Sequence, residues 1–160
     1  MIMKSKNLLG NDDAVSVSVG FIIMFAVTVI IFTGLIISFY TLTRNTEKSA
    51  MGESFKIMGD RMAADINMLD TMVNFINFNG GNVNALEYEF SLPASVAGKS
   101  YTVNITSSIH EIIIDSDNNA RTVSSFNTSI NFTDRKLYSG AEIHKFKYDA
   151  VNSSIIVVEE

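Results

Sequence analysis

Cysteine is absent from the 160-residue chain, which excludes disulfides, a thiolate nucleophile and any cysteine-ligated zinc site. It leaves the redox compartment open. Basic residues are few: 12 Lys and Arg stand against 17 Asp and Glu, for a net charge of −5. No stretch gathers them into a stripe that follows a phosphate backbone, so nucleic acid is not an expected partner. Glycine-rich phosphate loops, a G-x-S-x-G elbow, paired catalytic carboxylates and an HExxH motif are all missing. The two histidines, His110 and His144, stand in strand-like segments with Glu111 and Glu142 near them in sequence. Without a short ligand spacing they read as unrelated sheet residues rather than as a metal site. "DSDNNARTVSSF", starting at Asp115, imitates the opening of a calcium loop. It puts Ala120 where the sharp turn needs glycine and Phe126 where the bidentate glutamate belongs, and so reads as a polar hairpin turn. No enzyme, cofactor or metal is expected.

Charge is also missing from one long stretch. Ala14 to Thr43 is 30 residues without a charged side chain, and at a rise of about 1.5 Å per residue a helix of that length extends roughly 45 Å. That exceeds the ~30 Å hydrocarbon core of a bilayer. A secretory signal has an apolar core of only about 7–15 residues followed by a small-residue cleavage site, whereas here Ser38, Phe39 and Tyr40 lead into "TLTRNTEK". Removal of the whole segment is not expected, and the modest core of so short a chain is a poor cover for so long a rod. The expectation is insertion into a membrane or a helix bundle. Lys4 and Lys6 precede the segment while Arg44 and Lys48 follow it, so the positive-inside rule gives no topology.

After Arg44 the pattern becomes periodic. Met51, Phe55, Met58, Met62, Ile66, Leu69, Val73 and Ile76 recur at steps of three and four, the mark of one helical face. Glu53, Lys56, Asp60, Asp65 and Asp70 fall largely off the stripe, with Lys56–Asp60 and Arg61–Asp65 spaced to pair. No proline interrupts, so one long helix, or two nearly coaxial ones, is expected from about Val15 to about Phe78. "NFNGGNVN" ends it, because Gly80 and Gly81 tolerate the positive φ of a helix C-terminus. Beyond Asn84 the period is two. "ALEYEFSLP", "KSYTVNIT", "EIIIDS", "TVSSFNTSINFT", "EIHKFKYD" and "NSSIIVVEE" read as strands, with turns at Ala97-Gly98, Asp117-Asn118-Asn119 and Ser139-Gly140. The fold class expected is α+β: a long N-terminal hydrophobic helix continuing into an amphipathic helix packed on a small antiparallel β-sheet. The Met-rich stripe is the one long surface available to cover that sheet, its methionines acting as packing. The divisions are 1–14, 15–43, 44–79 and a β-rich part at 80–160.

Four N-x-S/T sequons, at Asn104, Asn127, Asn131 and Asn152, all lie in the β-rich part and are candidate N-glycosylation acceptors. In a chain this rich in Asn, Ser and Thr, polar strand and turn residues account for them as well.

A short basic leader, "MIMKSKNLLGN", two acids, a small residue and then "AVSVSVGFIIMFAVTVII" resemble the N-terminus of archaeal type IV pilins and pilin-like proteins, whose familiar form is DDAVSPVIG before a long apolar helix. Ala14, Val15, Ser16 and Gly20 match that motif residue for residue. Val17 replaces its proline, Ser18 follows, and Val19 stands where bacterial pilins place a glutamate, as is usual for the archaeal branch. The match covers about the first 40 residues. The resemblance implies cleavage by a prepilin peptidase between Ala14 and Val15, with Asp12 and Asp13 flanking the cut; Gly10, preceded by Leu8 and Leu9, is a poorer alternative. It also implies the family's lollipop shape and a helix lodged in membrane lipid before assembly, then packed with copies of itself or other pilins through the pilus assembly machinery.

The expected function is therefore that of a structural subunit or minor component of a type IV pilus-like cell-surface filament, acting in adhesion, surface attachment or secretion. Its C-terminal domain would lie outside the cell. The alternative is a single-pass membrane-anchored surface binding protein that does not polymerise. A membrane-tethered hydrolase is disfavoured by the missing catalytic groups.

Overall fold

The structure is a computed structural model that describes residues 12–140 and 143–159, with side chains from residue 16 onward. The leader segment through Gly10, and Glu142 beside His144, lie outside the described residues. The fold class is α+β. Helix α1 spans Asp12–Phe78 and is followed by strands β1 (Ala85–Ser91), β2 (Tyr101–Thr106), β3 (Glu111–Ser116), β4 (Arg121–Ser125), β5 (Asn131–Phe132), β6 (Arg135–Tyr138), β7 (Ile143–Asp149) and β8 (Ser154–Glu159). Two compact units meet in sequence at Arg44 and Asn45. The first holds the uncharged part of α1; the second holds the rest of α1 and all eight strands.

In the second unit α1 ends as the Gly-Gly pair predicts. Gly80 adopts φ 75°, its amide donates to the Asn77 carbonyl, and the Gly81 amide donates to the Ile76 carbonyl. This pair of bonds satisfies carbonyls that the helix end leaves open. The 3.6-residue stripe is the buried face: Met51, Phe55, Ile66 and Leu69 are fully inaccessible, Met62 and Val73 nearly so, and Met58 packs against them half-buried.

The strands form two sheets rather than the single sheet expected. One has the order β4-β3-β2-β6; the other has the order β1-β7-β8-β5 and includes a parallel pairing of β5 with β8. Alternation shows which face of a strand is buried and says nothing of its partner, so the division arises from long-range pairing. In the first sheet Tyr101, Val103, Ile105, Ile112 and Ile114 point to the core. Phe55 meets Tyr101 with ring centroids 5.3 Å apart. In the second sheet Phe90, Phe146, Tyr148, Ile155 and Val157 do the same. A run of ring contacts, Phe126–Phe132 at 5.5 Å, Phe132–Phe146 at 6.3 Å and Phe146–Phe90 at 4.4 Å, joins the segment after β4 to β5, β7 and β1.

Polar contacts key the helix to β4 and the segment that follows it. Thr122 Oγ1 donates to the Gly52 carbonyl at 3.2 Å, Ser124 Oγ to Asp60 at 2.7 Å, and the Asn127 amide to Asn67 Oδ1 at 2.8 Å. Asp70 Oδ1 accepts from Thr128 Oγ1, the Ser129 amide, Ser129 Oγ and the Ile130 amide at 2.8–3.1 Å. Positions 52 to 70 cover about 27 Å of helix and positions 122 to 129 about 23 Å of extended chain, so the two run side by side. Gly59 permits the closest approach: a Cβ there would lie 2.6 Å from Ser124 Oγ.

Candidate functional site

The surface that most needs a partner is the uncharged part of α1. From Ser16 to Thr43 every side chain is exposed, including Phe21, Met24, Phe25, Ile30, Phe32 and Phe39 at more than three-fifths of their full area. Soluble monomers rarely expose a contiguous apolar area of this size. Five of its hydroxyls make no demand on the surroundings. The hydroxyls of Thr28, Thr33, Ser38, Thr41 and Thr43 donate to the carbonyls four residues back at 2.8–2.9 Å, which satisfies them within the helix, as a hydrocarbon environment requires. Gly20 and Gly34 open notches, since a Cβ built at either meets nothing within 4 Å. Towards the charged end, the Arg44 guanidinium lies 5.7 Å from the Tyr40 ring centroid, an aromatic and cationic pair of the kind found at membrane interfaces. α1 is thus long and apolar enough to cross a membrane once.

The residues expected at leader processing, Asp12, Asp13, Ala14 and Val15, have helical backbone, and their side chains lie outside the described residues. All four sequon asparagines are exposed. Asn104 is on the outer face of β2, Asn127 in the segment after β4, Asn131 on β5, and Asn152 in the β7–β8 turn, where it donates to Asp149 at 2.6 Å. His110 and His144 serve separate sheets. His110 adopts φ 52° in the β2–β3 turn and meets Phe126 edge-on at 5.5 Å, while His144 is buried on β7, stacked at 5.4 Å on Phe90. Neither ring nitrogen of His144 has a hydrogen-bond partner among the described residues. No group of three His, Asp or Glu among those residues is placed to hold a metal. The Asp115 segment forms the β3–β4 hairpin turn, closed by the Asn119 amide on the Ser116 carbonyl and by Asn118 Oδ1 accepting from the Ala120 amide.

A family model matches residues 10–144, most of the chain, running from the apolar helix into β7. The chain belongs to DUF7266, a family of unknown function. Neither a curated protein nor a solved structure matches it. Because the family's span takes in both compact units, the apolar helix is as much part of DUF7266 as the β-rich unit.

The pairing of Lys56 with Asp60 was expected from their spacing and is present, but the bonds of Asp60 and Asp70 to β4 and the segment after it were not foreseen. The Ser124 hydroxyl, with Lys56 at 3.3 Å, holds the Asp60 carboxyl below the ordinary carboxylate range. A carboxylate three or four residues from Asn on a helix facing a Ser/Thr-rich segment was the available signal, and it is a weak one. The outer face of the β4-β3-β2-β6 sheet was also missed, because its residues become neighbours only through strand register.

Proposed function

We propose that the chain is a pilin-like subunit, major or minor, of a type IV pilus-like cell-surface filament, with prepilin peptidase cutting between Ala14 and Val15. The observation that carries this reading is the uncharged part of α1, exposed from Ser16 to Thr43 and with the hydroxyls of Thr28, Thr33, Ser38, Thr41 and Thr43 satisfied within the helix. Such a helix rests in lipid and passes into a bundle of its own copies with those five hydroxyls paired in either. Gly20, Ala26, Thr33, Gly34 and Ser38 supply small residues for close helix approach, and the resemblance of the N-terminus to archaeal type IV pilins agrees with this use. In this reading the β-rich unit lies outside the cell, which is where N-glycans at the sequons would be found. The chain carries no catalytic role.

The test compares cells making the parent chain or Gly34→Leu. Leucine keeps the segment hydrophobic, so membrane insertion continues, but it fills the notch. Parent protein is expected in surface-sheared filaments, starting at Val15 by intact mass, with Gly34→Leu retained in the membrane. If neither protein ever leaves the membrane fraction and the parent keeps its leader, the chain is instead a permanently anchored surface binding protein.

A further inference from the structure

The strand register assembles a second surface on the β4-β3-β2-β6 sheet. The alternation that buries Tyr101, Val103 and Ile105 sends Thr102 to the opposite face. There Thr102 lies opposite Tyr138 of β6 on one side and Asp115 of β3 on the other, and Asp115 lies opposite Arg121 of β4. An aromatic ring, a hydroxyl, a carboxylate and a guanidinium thus form one row across four strands, about 15 Å long at the usual spacing of cross-strand neighbours. Beside the row lies an open groove of about 410 Å³ bounded by Ser100, Tyr101, Thr102, Asp115, Asp117, Tyr138 and Ser139.

The parts of this groove are held in place. Thr102 Oγ1 donates to Asp115 Oδ1 at 2.7 Å and fixes the carboxylate. The Ser139 amide donates to the Tyr101 carbonyl, and Ser139 Oγ accepts from the Tyr101 amide, at 2.9 and 3.2 Å. The hydroxyl proton of Ser139 is therefore not used in either bond. Tyr138 is 67% exposed, with the Lys136 ammonium 5.4 Å from its ring centroid. The Tyr101 hydroxyl is not free for a ligand, since it donates to the Pro93 carbonyl at 2.7 Å.

We propose that this groove binds an uncharged oligosaccharide. A sugar ring presents an apolar C–H face, which suits an exposed aromatic ring, and a rim of hydroxyls that donate to carboxylates and accept from guanidinium or serine. Tyr138 supplies the stacking platform, Asp115 and Asp117 the acceptors, and Ser139 the donor. Among the described residues the groove is lined by two carboxylates and by no cation, Lys136 and Arg121 standing outside its lining, so an anionic ligand is disfavoured there. The inference does not depend on polymerisation.

The test uses the full chain, made in a host that does not N-glycosylate so that Asn104 on the same face stays bare, and held in lipid nanodiscs free of sugar detergent. Chitotriose and mannotriose are the probes, titrated to millimolar concentration by saturation-transfer NMR. Transfer to the ring C–H protons of at least one probe is expected. Tyr138→Ala should weaken binding about tenfold, the loss of one ring-stacking contact, and Tyr138→Phe should retain it. Both variants should melt with the parent, because Tyr138 is largely exposed. Absence of transfer to both probes, unchanged binding by Tyr138→Ala, or tighter binding of a uronic-acid trisaccharide than of either probe would overturn the proposal.

Discussion

Replacing Asp70 with asparagine removes one charge at almost constant volume, at the point where α1 holds the segment between β4 and β5. Asp70 Oδ1 accepts from Thr128 Oγ1, Ser129 N, Ser129 Oγ and Ile130 N, and Oδ2 accepts from Asn74 Nδ2 at 3.0 Å. An asparagine that turns its oxygen to the loop must turn its NH2 towards the NH2 of Asn74. Hydrogen bonds to a charged acceptor contribute about 1 kcal/mol more than neutral ones, so four contacts give about 4 kcal/mol, which we halve to about 2 kcal/mol because Asp70 is only half-buried and water screens it. At about 4 °C per kcal/mol for a unit of this size, Asp70→Asn should melt about 8 °C below the parent at pH 7. Burial pushes the Asp70 carboxyl up, but the bonds from Thr128, Ser129 and Ile130 outweigh it and hold the group below its ordinary value. With the folded value depressed, the stabilisation is present above the unfolded value of about 3.9 and is lost as pH falls through the folded value. The gap between parent and variant should therefore close below about pH 4. Thermal melts of the two full chains followed by circular dichroism at pH 7 and pH 3 measure both effects. A variant that melts within a degree of the parent at pH 7, or a deficit that persists undiminished at pH 3, would refute the reasoning.

Ile66 is fully buried in the helix stripe, so Ile66→Asp puts an unpartnered carboxylate there at a cost of several kcal/mol, and its melt should fall far below the parent's; a shift of only a degree or two would show that the stripe is not the contact. Gly59→Ala gains about 1 kcal/mol of helix propensity, yet its methyl would meet Ser124 Oγ at 2.6 Å and Cβ at 3.1 Å. It should lower the melting point, adding Ser124→Gly should recover part of the loss, and a higher melting point for the single variant would contradict the close approach. His144→Leu removes two buried ring nitrogens that have no partner among the described residues and should hold or raise stability by about 1 kcal/mol; a clear fall in the melting point would mean that the imidazole is hydrogen-bonded in solution.

The helix was readable because its apolar residues carry one period over seven turns and two glycines mark its end. β1, β2 and β7 were readable because each alternates over six or seven residues, and β3 and β8 because short β-branched runs stand between polar turn segments. β6 was not: in "RKLY" only Leu137 is buried, and one apolar residue has no period. "TVSSFNTSINFT" reads as one strand, yet it divides into β4 and β5 because Asp70 and Asn67 draw residues 127 to 130 into hydrogen bonds with the helix that compete with sheet pairing. The partition into two sheets depends on contacts far apart in sequence and leaves no local trace. The apolar surface of α1 was evident from the missing charges alone, whereas the row from Tyr138 to Arg121 needed the register of four strands.

The side-by-side course of α1 and β4 has a mechanical consequence. A pull along the helix axis within the β-rich unit loads the contacts at Gly52, Asp60, Asn67 and Asp70 together in shear, because their partners follow the helix in the same order over a similar length. Contacts loaded in parallel share a force that would break them one after another if the strand were peeled from its end. The same bonds resist rotation, since turning the helix by one residue would carry Asp60 away from Ser124 and bring a side chain into the space kept by Gly59. In this unit the buried stripe provides adhesion, and the polar keys provide resistance to sliding.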